Sequence, residues 1–252
     1  MTRLICVCSG KGGVGKTFLT ANLGVALAEF GKDVAILDAN LTTPNLGLHL
    51  GIPLFPVTLH DVLKGNARIH DAIYEHESGL KIIPAGLSLK DLRGVDSRDL
   101  SNALLDLIGN VEILIMDSSA GLGREALSAM ESSDELIVVT NPELPSVTDA
   151  LKAIKLAEQV GTRIKGIVIN RVSGKSYEMS RYEIRSMLGD YEILAEIPED
   201  RHVHHSISRR TPVVQHKPDA SSSIEVKRLA AKLIGREFNY RQPWHQKIKF
   251  WR

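Results

Sequence analysis

Short apolar runs alternate with helical patterns along most of this chain of 252 residues. The runs are rich in β-branched residues and predict strands at 3–8, 34–38, 80–84, 111–117, 135–140, 163–170 and 191–198. Between the first two runs, apolar residues recur at helical spacing from Leu19 to Phe30, and the pattern ends at Gly31, a typical helix cap. Further helices are predicted at about 97–107, 124–131, 146–160, 178–188 and 222–233.

This alternation determines the predicted fold class. Each strand is apolar on both faces, which indicates a parallel sheet covered by helices on two sides. We therefore predict a single α/β domain over residues 1–235, with a mostly parallel, twisted sheet of about seven or eight strands, and a tail at 236–252. Segments 51–69 and 201–223 are the least regular and are expected to be surface excursions.

Composition and charge exclude several classes of protein. The hydrophobic share of 43% is ample for one buried core, and the net charge of +1 gives no general affinity for nucleic acid. No run of about 20 apolar residues is present, so no membrane span and no signal peptide are expected. Cys6 and Cys8 lie two apart in the first strand, on one face, and are predicted to be buried, reduced thiols.

The stretch SGKGGVGKTFLT, from Ser9 to Thr20, satisfies two phosphate-loop patterns. From Gly10 to Gly15 it matches G-x-G-x-x-G, the dinucleotide fingerprint, and Asp38 at the end of the second strand could then bind a ribose hydroxyl. From Gly10 to Thr17 it matches G-x-x-x-x-G-K-[ST], the nucleoside-triphosphate loop.

The residues that open the helix favour the triphosphate. Lys16 would place a cation against the positive end of the helix dipole, which is unfavourable unless a stronger anion lies between them. Thr17 supplies a hard oxygen for Mg²⁺, and Asp117, which ends another apolar strand, suits a metal held through water. Dinucleotide folds require neither Lys16 nor Thr17.

A second lysine, Lys11, precedes the usual loop lysine, and GKGGVGKT then resembles the deviant phosphate loop of the MinD/ParA family of P-loop ATPases. The stretches TANLGVALAEFGKDVAILDAN, NLGLHLGI, DSSAGLGREAL, TNPELPSVTDALK, GIVINRV and IPED are similar to its MinD branch, and the resemblance covers about residues 2–235. It implies an ATPase, with ATP or ADP and Mg²⁺ as ligands, that forms an ATP-dependent homodimer in which Lys11 reaches the partner's phosphates.

The same resemblance implies roles for individual residues. Lys11, Lys16, Asn40 and Asp117 would be the catalytic set, while Thr17, Asp38 and Asp117 would serve Mg²⁺. Asp149 matches a position that can pair with Lys11 across the dimer, although an aspartate in the first turn of a helix is also a simple dipole partner. The nucleotide-binding residues would be Gly12, Gly13, Val14, Gly15, Lys16, Thr17 and Phe18, with Asn170, Arg171, Pro198, Glu199 and Asp200 at the adenine edge.

Two positions depart from the family pattern. The family usually ends its second strand with D-x-D, whereas this chain has Asp38-Ala39-Asn40, and an amide cannot act as a base. We therefore expect tight ATP binding and slow hydrolysis, whether Asn40 is natural or engineered. Phe18 stands where a hydroxyl is common; it either removes one contact to the α-phosphate or packs under the loop as core.

The tail from Arg236 to Arg252 carries a net charge of +4 and both tryptophans, which leaves −3 for the rest of the chain. If Pro243 starts a helix, large apolar side chains fall on one face among basic residues, which predicts a peripheral anchor on the inner, anionic face of the cell membrane. Alternatively, the tryptophans fold back onto the domain. The predicted membrane-contacting residues are Trp244, Lys247, Ile248, Lys249, Phe250 and Trp251.

Several rival functions share parts of this pattern. A ParA-like DNA-partitioning ATPase would need a basic body, and a nucleic-acid partner is not expected at −3. A MinD-like regulator of flagellum number remains an alternative to division-site placement, with an unknown protein regulator or cargo in either case. An iron–sulfur carrier would need interface cysteines, which Cys6 and Cys8 cannot supply. The histidines of His202-x-His204-His205 follow the IPED stretch without a thiol nearby and are read as polar surface rather than a metal site.

Overall fold

Eight strands form one sheet at the centre of the computed structural model, which describes residues 2–52, 54–88 and 90–240. The sheet order is β3-β4-β2-β5-β1-β6-β7-β8, and every neighbouring pair is parallel except β3 with β4. The predicted mostly parallel α/β sheet is confirmed. The strands are β1 (Arg3–Cys8), β2 (Val34–Ala39), β3 (Tyr74–Glu75), β4 (Lys81–Ile83), β5 (Ile113–Ser118), β6 (Glu135–Thr140), β7 (Arg163–Val172) and β8 (Ile193–Pro198).

Helices cover both faces of this sheet. Two short 3₁₀ turns, Ile69–Ala72 and Ser97–Asp99, accompany them. The α-helices in the described residues are α1 (Lys16–Glu29), α2 (Leu46–His49), α3 (Leu59–Leu63), α4 (Leu100–Leu105), α5 (Arg124–Glu131), α6 (Leu144–Val160), α7 (Arg181–Leu188), α8 (Arg201–Ser208), α9 (Val213–His216) and α10 (Ser221–Leu233).

The core consists of two apolar layers, one on each face of the sheet, because side chains of a strand alternate between its faces. In β1, Cys6 and Cys8 belong to one layer, while Ile5 and Val7 belong to the other. All four side chains are fully buried, and both cysteines are free thiols, as the sequence predicts. Burial on both faces explains why the central strands are continuous apolar runs.

The expectation that 51–69 and 201–223 are irregular surface excursions is wrong. The first segment contains α3 and the second contains α8 and α9, and Leu59, Val213 and Val214 are fully buried. These helices span four to eight residues, which is too short for a clear apolar period. The start of α3 nevertheless carries a sequence signal, a capping box in which the side chains of Thr58 and Asp61 each accept a hydrogen bond from the backbone N–H of the other residue.

Helix boundaries also differ from the sequence expectation. The long helix α6 begins at Leu144, before the predicted start, with Pro145 in its first turn. Asp149 therefore lies in the second turn of α6. The interpretation of Asp149 as a partner of the helix dipole required it to lie in the first turn, so that interpretation is wrong. The helix expected from about 178 begins at Arg181, because Ser180 caps it and Glu183 closes the capping box.

The carboxyl ends of the parallel strands meet at one edge of the sheet, and the connections after β1, β2, β5, β7 and β8 lie there. Chain order reverses beside β1, whose neighbours are β5 on one side and β6 on the other. Ligands of open α/β sheets bind at such a switch point. This edge, here called the carboxyl edge, is where the site is expected.

The tail begins at the far end of α1. Arg236 Nη1 donates to the carbonyl of Phe30 at 2.9 Å, and the rings of Phe30 and Phe238 lie 5.8 Å apart. The predicted membrane residues from Trp244 to Trp251 lie outside the described residues. Among those that are described, no helix combines the length and apolar character needed to cross a bilayer.

Candidate nucleotide-binding site

The loop between β1 and α1 has a backbone that requires glycine. Gly13 and Gly15 adopt left-handed φ values of 78° and 101°, and Gly15 directly precedes α1. A Cβ on Gly15 would lie 2.2 Å from Asn170 Nδ2, which donates to the carbonyl of Val14 at 2.7 Å. Asn170, on β7, therefore holds the loop closely and leaves no room for a side chain at position 15.

The start of the same loop is held by a second element. A Cβ on Gly10 would lie only 1.8 Å from the carbonyl oxygen of Asp149, on α6. Ser9 Oγ donates to the carbonyl of Lys11 at 2.7 Å, and Ser9 accepts from Gly121 through its own carbonyl at 3.2 Å. The loop is thus shaped by α6, β7 and the connection after β5.

Lys16 is the first residue of α1 and is buried, with 8% of its surface exposed. Its Nζ donates to Ser9 Oγ at 3.0 Å. Burial lowers its pKa, and the nearby carboxylate of Asp117 opposes that shift. Because the first turn of α1 contains no acidic residue, its free N–H groups and Lys16 together attract an anion such as a phosphate.

A hydroxyl and a carboxylate suited to Mg²⁺ lie next to this lysine. Thr17 Oγ1 donates to Asp117 Oδ2 at 2.6 Å, while Asp117 Oδ1 is buried without a hydrogen-bond partner among the described residues. Burial raises the pKa of Asp117 to about 6, although the Thr17 bond and Lys16 act in the opposite direction. An unpartnered buried carboxylate oxygen beside a hydroxyl fits a hard divalent cation or its water.

Asp38 lies beside Asp117 in the register of β2 and β5. Its Oδ1 accepts from the backbone N–H of Asn40 at 3.1 Å, and its Oδ2 accepts from Asn45 and Leu46 at 3.0 Å each. Burial and the neighbouring Asp117 raise its pKa, while these hydrogen bonds oppose the rise. Asp38 thus shapes the loop after β2, and the two buried carboxylates make the site favourable for a cation.

Asn40 closes the loop after β2. Its Nδ2 donates to the carbonyl of Thr43 at 2.7 Å, and its Oδ1 accepts from the Thr43 backbone and hydroxyl at 3.2 Å each. A carboxylate at this position could accept the two bonds from Thr43, but it could not donate to the Thr43 carbonyl. The hydroxyl of Thr42 donates to Glu125 on α5, so this loop is also joined to the connection after β5.

One open cavity of about 580 Å³ lies at the carboxyl edge, against the phosphate loop and the loop after β2. A smaller cavity of about 100 Å³ adjoins it and shares Gly15, Phe18, Arg171 and Ile207. The larger one, here called the phosphate cavity, is also lined by Gly12, Gly13, Lys16, Thr17, Asn40, Thr43, Asn45, Leu48, His49, Ser118, Ala120 and Arg210. The smaller one, here called the base pocket, is also lined by Asn170, Pro198, Glu199, Asp200, Val203 and His204.

The residues expected at the adenine edge do come together, and the two acidic ones have structural partners. Asp200 caps α8 by accepting from the His202 backbone at 2.9 Å, and its other oxygen accepts from Ser222 N–H and Oγ on α10. Burial raises its pKa, but these bonds outweigh burial and lower it to about 2. Glu199 lies 3.9 Å from Arg171 Nε and 3.3 Å from His204 Nε2.

Phe18 belongs to the core and to the site. It is 6% exposed and packs with the apolar layer around α1, while its ring also lines both cavities. Of the two interpretations of this residue, packing under the loop is therefore correct. An aromatic surface at that position also gives a sugar or base an apolar wall.

The two predicted dimer residues do not meet within one chain. Lys11 is exposed on the phosphate loop, whereas the carboxylate of Asp149 accepts from Lys152 Nζ at 2.9 Å on the same helix. Among the described residues, no ion pair joins Lys11 to Asp149. The structure brings the start of the loop against the backbone of Asp149, so both residues lie on the same side of the molecule.

Sequence reasoning missed several residues of this site. Ser9 positions Lys16, Asn45 and Thr43 fix the loop after β2, and Arg210 lines the phosphate cavity. Ser9 and Asn45 lie next to recognised motifs, and this proximity is the only signal the sequence offered for them. Nothing in the sequence pointed to Arg210, which lies far along the chain from the phosphate loop.

A glycine loop at the start of a helix, with a buried lysine and a hydroxyl–carboxylate pair at the switch point of a parallel sheet, defines a P-loop nucleotide-binding protein. Residues 1–234 match the ParA family model, described as the NUBPL iron-transfer P-loop NTPase. The chain belongs to the ParA family of P-loop NTPases.

Individual relatives refine this assignment. An uncharacterized ATP-binding protein of Methanocaldococcus jannaschii is 46% identical over 94% of this chain and 90% of its own length. Septum site-determining protein MinD of Thermotoga maritima is 34% identical over 81% of this chain and 78% of that protein. The structure of MinD with Mg-ADP from Pyrococcus horikoshii aligns with a TM-score of 0.89 and 37% identity, covering 92% of this chain and 96% of the other. Within its family the chain is MinD-like.

Proposed function

We propose that this chain is a MinD-like ATPase that dimerises when it binds ATP and Mg²⁺ and then associates with the inner face of the membrane through the tail at 236–252. In this role it would position the division site or another polar assembly. The observation that carries the proposal is that Lys16, Asn40 and Thr17, which is hydrogen-bonded to the buried Asp117, line one cavity beside an apolar base pocket.

Nucleotide binding follows from groups already in place. The N–H groups at the start of α1 and Lys16 bind the phosphates, and Phe18 and Pro198 contribute apolar surface to the base. Thr17 and Asp117 would hold Mg²⁺, with Asp38 adding negative charge behind them. Mg²⁺, when bound, neutralises charge on the β- and γ-phosphates. That the relative from Pyrococcus horikoshii was crystallised with Mg-ADP supports this ligand.

Hydrolysis is proposed to be slow in this chain. Asn40 faces the phosphate cavity and can orient a water through its amide, but it cannot remove a proton from that water. Lys11, exposed on the loop, is proposed to reach the partner's phosphates and stabilise the charge that develops there. A long-lived ATP dimer would follow from tight binding combined with this missing base.

Membrane association is proposed to depend on the dimer. Partial burial of two tryptophans and an isoleucine contributes roughly 1.5–3 kcal/mol each, and ordering of a short helix opposes much of it. One tail would therefore bind weakly. Two tails on one dimer make the second contact intramolecular, which raises avidity by roughly 10²–10⁴. The basic tail attracts an anionic lipid surface, whereas the net charge of −3 on the rest of the chain provides no basic body for DNA.

The test is size-exclusion chromatography with light scattering in ATP, ADP or no nucleotide, followed by pelleting with anionic vesicles. We expect a dimer with ATP only, and vesicle binding by that dimer. Replacing Trp244 and Trp251 together by Glu should abolish pelleting and leave the ATP dimer intact. A chain that stays monomeric in ATP, or binds vesicles equally without nucleotide, contradicts the proposal.

The iron-transfer description of the family model suggests a second candidate, which the cysteines oppose. Cluster carriers ligate through thiols at an accessible interface. Cys6 and Cys8 are fully buried in the central strand, and burial raises the pKa of Cys8 to about 12. Among the described residues, no group of three or more potential metal ligands occurs. The geometry therefore favours the positioning ATPase.

A further inference from the structure

Two residues other than glycine have a left-handed backbone in the described part of the chain, and both are arginines. Arg171 has φ 59° and Arg210 has φ 53°. Both line the phosphate cavity. Side chains other than glycine rarely adopt this conformation, and such positions concentrate at functional sites. Arg171 was already expected in the site, whereas Arg210 was not.

Arg210 occupies a position that favours glycine. It follows α8, and its N–H donates to the carbonyl of Ile207 at 3.0 Å, while Thr211 N–H donates to Ser206 at 3.1 Å. This pair of bonds is the Schellman ending of a helix, in which the residue at the position of Arg210 is most often glycine. The backbone gains nothing from an arginine there, so the explanation for it lies in its side chain.

The position of Arg210 is fixed from the other side as well. A Cβ on Gly51 would lie 2.8 Å from the carbonyl oxygen of Arg210, so the turn after α2 packs against this residue. Arg210 is exposed, and among the described residues it forms no ion pair within 4.0 Å. A positive charge is therefore held at the cavity without a partner in that part of the chain.

The charge of the cavity lining indicates the ligand for this group. Lys16, Arg171 and Arg210 line the phosphate cavity together with His49, and no Asp or Glu is among the described residues that line it. Arginine presents a planar fork of donors that matches phosphate oxygens. Burial lowers the pKa of His49, which leaves the fixed cations as the main charges of the lining.

We propose that Arg210 binds the phosphate chain of the nucleotide from the α8 side of the phosphate cavity. This inference deepens the proposed function of the site and rests on it, because it needs a nucleotide on the phosphate loop. The competing role is structural: Arg210 also lines a cavity of about 290 Å³ with Glu75, His76 and Glu77, whose carboxylates could hold it instead.

Arg210→Gly separates these roles, because glycine suits the helix ending and removes the cation. Binding of ATP, ADP and adenosine with Mg²⁺ is measured by calorimetry, together with thermal unfolding of the nucleotide-free chain. We expect ATP and ADP affinity to fall about tenfold, adenosine affinity to be unchanged, and the nucleotide-free chain to be at least as stable as the original. Arg210→Lys should retain part of the affinity.

Arg209→Gln is the matched control, since it removes the same charge one residue away, at a position that does not line the cavity. It should leave ATP affinity within about twofold. Equal ATP affinity in the original chain and in Arg210→Gly overturns the inference. A loss of folding stability in Arg210→Gly large enough to explain its weaker ATP binding also overturns it. If the unaltered chain itself fails to bind ATP, the proposed function of the site fails first and the inference falls with it.

Discussion

Cavities of similar volume lie at the carboxyl edge of the sheet and at the opposite, amino edge, where the parallel strands begin. They differ in whether the charged side chains around them are paired. At the amino edge, a cavity of about 460 Å³ is lined by Arg3, Lys32, Asp33 and Glu112 among others. Lys32 pairs with Glu112 at 2.9 Å, Lys81 with Asp33 at 2.7 Å, and Arg3 with Glu135. Every one of these charges has a partner of opposite sign within the chain.

At the carboxyl edge, the phosphate cavity has a comparable volume of about 580 Å³, but polar and charged groups around it lack partners among the described residues. Asp117 Oδ1 is buried and unbonded, Arg210 has no ion pair, and two arginines have left-handed backbones. Volume and charge therefore do not distinguish the site. What distinguishes it is unsatisfied bonding capacity and backbone strain, which a folded chain retains where a ligand completes the arrangement.

The largest expected effect is from Lys16→Ala. It removes the cation that, with the start of α1, attracts the phosphates, so Mg-ATP affinity should fall by about 100-fold or more, or roughly 3 kcal/mol. Calorimetric titration measures it. The matched control at the amino edge is Lys32→Ala, which breaks an exposed pair with Glu112 and should leave affinity unchanged. Equal losses in the two variants would mean that the two edges do not differ as described.

Asp117→Asn tests the buried carboxylate through its pH dependence. The pKa of this group is raised by burial to about 6 in the folded chain, so its stabilising contribution is complete below the ordinary carboxyl pKa and is lost as pH rises through about 6. The nucleotide-free chain should therefore lose roughly 2–3 kcal/mol of unfolding free energy between about pH 4 and 7.

Denaturant unfolding at a series of pH values measures this loss. The variant should lose less stability over that range and be more stable than the original at neutral pH, while gaining less stability from Mg-ATP than the original does. The neighbouring Asp38 shifts in the same direction, which keeps some pH dependence in the variant. A stability profile identical to that of the original would contradict the assignment to Asp117.

Asn40→Asp should have the smallest effect and combines two changes. A carboxylate can accept a proton from the attacking water, so single-turnover hydrolysis should speed up about tenfold or more. Loss of the Nδ2 bond to Thr43 should cost about 1 kcal/mol of stability. At the amino edge, Asn110 Nδ2 donates to the carbonyl of Asp106 at 2.7 Å, so Asn110→Asp is the same change with no expected effect on rate. Equal hydrolysis rates for the original chain and the Asn40→Asp variant would reject the slow-hydrolysis proposal.

The site could be predicted where its chemistry is contiguous in sequence. The phosphate loop needs a strand, glycines and a helix start in succession, and all three are readable from Cys8 to Thr17. Asp38 and Asp117 were grouped as Mg²⁺ residues by resemblance, and the register of β2 and β5 does place them side by side. The adenine-edge residues came from resemblance, and the base pocket does bring Asn170 and Pro198 together.

The remaining features depend on packing between distant segments. That Asp38 binds the loop after β2 through both oxygens, and that Arg210 reaches the phosphate cavity, follow only from how α2 and α8 pack. The edge strand β3 has two residues, too few to show an alternating pattern. Helices α2 and α9 have four residues each and are equally hard to detect.

The carboxylate of Asp200 connects the base pocket to a helix that is synthesised late. One oxygen secures the first turn of α8, which borders the base pocket, and the other secures Ser222 in the first turn of α10. The wall of that pocket is thus fastened to the last described helix of the domain. A nascent chain in which α10 has not yet folded therefore lacks this support for the pocket wall.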